Sequence, residues 1–109
     1  MDRHLTLDAV YVLLQQVRQG SLTREMGAGF ARERLARVAR RQACFWPRED
    51  SERIEMWLIA ASGLDAVGLD DRWRVSDAEL GRWIERAEAV VESVGRVARN
   101  ASGIATDRR

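Results

Sequence analysis

Four apolar stripes at helical spacing, each closed by its own stop signal, decide what this chain can fold into. In the first, Leu7, Val10, Leu13, Leu14 and Val17 share one face; Thr6 can cap the start, Asp8 suits the positive end of a helix, and Gly20 supplies the stop. Ser21 and Thr23 then offer a new cap, and Ala28, Ala31, Leu35, Val38 and Ala39 line a second helix from about Arg24 to Arg41. Gly27 and Gly29 weaken its first half by roughly 1 kcal/mol each relative to alanine. Either they let another helix approach closely, or this helix begins late.

The segment Cys44-Phe45-Trp46-Pro47-Arg48 reads as a loop, because proline disfavours helical geometry in the residue before it and has no amide proton. A third helix follows, with Asp50 or Ser51 as cap, Ile54, Trp57, Leu58 and Ala61 as its buried face, and Gly63 as its stop. Leu64 to Val75 is the longest connection and carries Leu69 and Trp73 among Asp65, Asp70, Asp71 and Arg72. Ser76 and Glu79 make a capping box for a long fourth helix that buries Leu80, Trp83, Ile84, Ala87, Val91 and Val94 and frays near Arg99. No run alternates apolar and polar residues long enough for a strand. The expected fold is all-α, a compact bundle of four main helices, mostly antiparallel, with a long loop between helices three and four. Residues 1–99 make the single domain and residues 100–109 a flexible C-terminal tail.

A chain of 109 residues can bury a real core without disulfides or metals, and 46% hydrophobic with 32% charged residues and a net charge of +1 is ordinary globular composition. The single cysteine, Cys44, cannot form an internal disulfide, and the run Ala9 to Leu14 is too short for a signal segment or a membrane span. A cytoplasmic protein without membrane contact is expected. All eighteen basic residues are arginine, and with many alanines and a single asparagine, Asn100, this looks like the coding habit of a high-GC bacterial genome rather than a phosphate-binding device.

Residues that do chemistry are scarce. His4 and Cys44 stand alone, without CxxC or HxxxH spacing, so no zinc site is expected. Asp65, Asp70 and Asp71 lack the alternating oxygen ligands and terminal glutamate of a calcium loop. Nucleophilic catalysis by Cys44 would need a base, and a buried or half-buried cysteine beside Phe45 and Trp46 is the simpler reading. Glu85 and Glu88 lie beside Arg82 and Arg86, as on a salt-bridged surface, and Gly27-Ala28-Gly29 follows no strand. No enzyme and no cofactor is expected.

Charge distribution says more than total charge: residues 1–48 carry +5 and residues 49–109 carry −4. On helix two, Arg34, Arg37 and Arg41 recur on one side, next to Phe30. One use of that stripe is phosphate contact, with helix two as the second helix of a helix-turn-helix; the other is pairing with the acidic second half. The connection Asp65 to Val75 is the other candidate surface, since tryptophan flanked by charge is the composition of a binding hot spot and an acidic rim suits a basic partner. Equally, Trp73 can pin a long loop onto the core.

The segments Gly20-Ser21-Leu22-Thr23-Arg24-Glu25, Phe30-Ala31-Arg32, Trp57-Leu58, Gly63-Leu64-Asp65 and Glu79-Leu80 with Trp83 resemble a pattern in small helical proteins of high-GC bacteria. Proteins of that size and style resemble immunity proteins, which bind and neutralise a partner toxin. The resemblance spans about residues 10 to 88 and rests on caps and core positions, which report shared fold more than shared function. Nuclease immunity proteins are commonly acidic, and this chain departs from that. The resemblance implies a module that neutralises a partner toxin; the reading taken here is a non-catalytic protein that blocks a cationic toxin by steric occlusion, and the composition of the long connection points to Asp65, Asp70, Asp71 and Trp73 as its contacts. The alternative is a small nucleic-acid-binding regulator using Arg34, Arg37 and Arg41, and a homodimer through apolar surface on helix four stays open.

Overall fold

The computed structural model describes residues 4–106, with side chains through Ser93. It is an all-α bundle of four helices: α1 (Leu7–Gln19), α2 (Arg24–Ala39), α3 (Ser51–Ser62) and α4 (Asp77–Thr106). Among the described residues no helix is long and apolar enough to cross a membrane.

The caps follow from local chemistry. Thr6 Oγ1 accepts from the Ala9 amide at 3.3 Å, Thr23 Oγ1 from Met26 at 3.1 Å and Ser76 Oγ from Glu79 at 3.1 Å, each satisfying an amide that the first helical turn leaves unpaired. Gly20 closes α1 at φ 85°. At the far end of α2 the spacing predicts helix to Arg41, but the helix stops at Ala39. There the Arg41 amide bonds Val38 O at 3.0 Å and the Gln42 amide bonds Arg37 O at 2.8 Å, with Arg41 left-handed at φ 60°. This is a Schellman closure, with arginine where glycine is usual.

One short strand pairing escapes the periodic reading, and it takes in part of the segment read as a loop. β1 (His4–Leu5) runs parallel to β2 (Cys44–Phe45), with His4 opposite Cys44, and the Trp46 amide bonds Leu5 O at 2.9 Å. The pairing seats Leu5 and Ala43 in the core, a long-range cause that two residues of sequence do not announce. A 3₁₀ turn at Arg48–Asp50 then leads into α3, whose Asp50 makes no side-chain cap bond.

In the core, α1 lies against α2, α3 and α4, while α2 packs on α3. Val10, Ile54, Leu58, Leu64 and Leu80 are the largest fully buried side chains, each contributing roughly 1.5–3 kcal/mol by leaving water. Leu35, Val38, Trp57, Trp83, Ile84 and Val91 are partly buried around them, whereas Ala39, expected on the buried face, is exposed beside the α2 closure. Of the two glycines in α2, Gly27 is the close approach: a Cβ there would run into the Val17 side chain, whereas one at Gly29 would meet nothing. α4 runs on to Thr106, past Arg99 where the sequence predicts fraying and into the expected tail over residues 100–109; the Val94 side chain and residues 107–109 lie outside what is described.

A clamped hairpin as candidate functional site

The connection from α3 to α4 is folded, not slack. After buried Leu64 the chain makes a small hairpin: the Arg74 amide bonds Ala66 O at 2.9 Å, the Gly68 amide bonds Arg72 O at 2.8 Å, and Val67 faces Trp73 across an antiparallel bridge. Its tip is Leu69-Asp70-Asp71. The Asp71 amide returns to Gly68 O at 3.1 Å, and Asp71 itself is left-handed at φ 61°. A tight turn followed by one left-handed residue is a standard three-residue hairpin closure. Asp70 Oδ1 accepts from the Arg72 amide at 3.2 Å, stiffening the tip further.

Arg24 holds this hairpin from beneath. It is the one charged side chain buried among the described residues, and its guanidinium donates to Leu64 O at 3.2 Å, to Val75 O at 2.6 Å and to Asp77 Oδ1 at 2.7 Å. The two carbonyls flank the hairpin, so one side chain ties both of its ends to α2. Its Cζ also sits 4.9 Å from the Trp73 ring centroid, a cation–π distance. Arg18 adds a bond to Asp77 O at 3.2 Å.

The expected contact residues therefore separate. Asp65 is engaged internally: both carboxylate oxygens accept from Arg32, at 3.2 and 3.3 Å, and the same guanidinium reaches Ser62 O at 2.9 Å. That hydrogen bonding holds the Asp65 carboxyl below its usual range. Asp70 and Asp71 are exposed at the tip, and Asp71 has no side-chain partner among the described residues. Trp73 lies between the two expected roles, one face over Arg24 and 39% of its surface exposed. Leu69 is the residue that composition did not single out, and it is 109% exposed, with Val67 beside it also in water.

The arginine stripe does not form one helical face. Arg34 folds back, donating to Phe30 O at 3.1 Å with its Cζ 5.7 Å from the Phe30 ring; Arg37 is half-buried; Arg41 lies beyond the helix end. Cys44 is exposed rather than buried, because it sits on a two-residue strand pair at the surface. His4 lies opposite it in register and stacks on Trp46 at 5.0 Å, so the two residues that stand apart in sequence are neighbours in space. Among the described residues no three His, Cys, Asp or Glu side chains converge as metal ligands would.

Against family models, curated proteins and solved structures, the chain finds no match. Fold and site define a helical bundle that displays a braced, acid-tipped hairpin.

Proposed function

We propose that this protein is a non-catalytic, cytoplasmic binding module that docks the hairpin on a basic protein surface and occludes it, in the manner of an immunity protein covering a toxin. The observation that carries the reading is Leu69: a leucine at 109% exposure, between Gly68 and two aspartates, on a turn that Arg24 braces. A fully exposed leucine contributes nothing to the core. Buried under a partner it contributes roughly 1.5–3 kcal/mol, and a turn already held in place loses little conformational entropy on docking.

Asp70 and Asp71 set the sign of the partner, because the acid is confined to the tip while Arg72 and Arg74 lie on the returning strand. The half-exposed Trp73 supplies the aromatic contact common in interface centres, and Asp65 braces the base through Arg32 rather than touching the partner.

The test is capture from the native cytoplasm on immobilised protein, run with Leu69→Asp and with Asp70→Lys plus Asp71→Lys beside it. A basic protein retained in stoichiometric amount by the original sequence and released by both variants, with their helical circular dichroism unchanged, is the expected result. Retention indifferent to both variants, or no retained protein at all, removes the proposal.

A further inference from the structure

The bundle is open between α3 and α4, because α4 packs on α1 while α3 packs on α2 and α1. The gap is a groove of about 360 Å³. Leu14 of α1 contributes to its lining; Trp57 comes from α3 and Trp83 from α4, both only partly buried. Apart from Arg53 and Arg86, every lining residue is apolar. That size, with aromatic walls and a few placed polar groups, is the usual form of a small-molecule site.

The two arginines identify the ligand chemistry. Arg53 and Arg86 are the two cations on this lining, and neither has a hydrogen-bond or ion-pair partner among the described residues; the same holds for exposed arginines elsewhere, such as Arg48 and Arg82, so it is their place on the groove that sets these two apart. A guanidinium on the lining of an apolar groove matches a carboxylate, which it binds through two parallel hydrogen bonds. Beyond Arg53 the groove continues into a shallower depression that includes Glu49 and Glu52, so an anionic head is favoured at the Arg86 end. We propose that this groove binds a small aromatic carboxylic acid, its ring system against Trp57 and Trp83 and its carboxylate on Arg86. This site is independent of the hairpin and does not rest on the toxin-binding reading.

The four tryptophans make the test local. Indole N–H resonances of Trp57 and Trp83 report on the groove, while those of Trp46 and Trp73 lie elsewhere. Titration with 2-naphthoate is expected to move the first pair saturably and leave the second pair in place. Arg86→Gln, at an exposed position, should weaken the affinity about tenfold or more, as loss of hydrogen bonds to a charged group does, while 2-naphthalenemethanol should bind weakly and equally to both forms. No saturable shift at millimolar probe, an affinity unchanged by Arg86→Gln, or shifts confined to Trp46 and Trp73 would each overturn the proposal. Concentration-dependent shifts of Trp57 and Trp83 without any probe would overturn it too, because a second copy of the chain would then fill the groove.

Discussion

Arg24 shows how a single side chain can carry a loop. Two backbone carbonyls, one carboxylate and one aromatic face meet its guanidinium, which is buried although the Asp77 carboxylate and part of Trp73 face water. Replacing it by methionine keeps the volume but leaves the carbonyls of Leu64 and Val75 without their donor, at roughly 1–3 kcal/mol for each that stays buried. Arg24→Met is therefore expected to destabilise the protein by about 2–4 kcal/mol in urea unfolding. Arg24→Lys should recover only part, since one ammonium cannot reproduce a planar fork. In the sequence Arg24 is one of eighteen arginines, and its partners lie 40 to 53 residues away. Asp65 makes the complementary case at the surface. Its folded pKa lies below the unfolded value of 3.8, so its stabilising contribution is fully present above that value and is lost as pH falls through the folded one. The stability difference between the natural protein and Asp65→Asn should hold at neutral pH and close progressively below about pH 4.

At the scale of the helix, what depends on neighbours in sequence is legible and what depends on contact is not. Thr6, Thr23 and Ser76 cap as their side-chain chemistry requires, and Gly20 stops α1 in the conformation glycine favours. The two glycines of α2 look alike in sequence, yet only one faces a neighbour. Gly29→Ala should stabilise the protein by up to about 1 kcal/mol through helix propensity alone. Gly27→Ala should instead cost about 1–3 kcal/mol, because the new methyl meets a β-branched core residue, Val17, that has little room to turn. Thermal unfolding of the pair separates propensity from packing on one helix. Arg41 is the converse, a side chain in a left-handed closure with no glycine to mark it. Arg41→Gly is expected to raise stability by roughly 1 kcal/mol, since the strain of a non-glycine residue there is of that size. The same substitution removes one arginine of the stripe without touching the helix that precedes it.

Across the whole molecule, the charge asymmetry of the sequence is partly spent inside it. Arg18, Arg24 and Arg32 from the positive half reach Asp77 O, Asp77 Oδ1 and Asp65, all in the negative half. These contacts bind the α3–α4 connection to α1 and α2, so the hairpin belongs to the cooperative fold rather than to a mobile loop. The sequence shows a long connection with a tryptophan able to pin it onto the core; the Arg24 clamp is hidden there because its partners lie 40 to 53 residues away. The groove between α3 and α4 was hidden for a related reason: Trp57 and Trp83 each read as buried helical positions, and only the packing order leaves them facing a gap. Hydrogen exchange tests the cooperative claim directly. The amides of Gly68, Asp71 and Arg74 donate within the hairpin and should exchange slowly in the natural protein. Leu69→Ser should leave them slow and change stability by no more than about 0.5 kcal/mol, because that side chain touches water alone. In Arg24→Met the same three amides should speed up while those of α1, cored by Val10 and Leu14, stay protected. If they exchange quickly in the natural protein as well, the hairpin is not braced, and a docking surface built on its rigidity loses its physical basis.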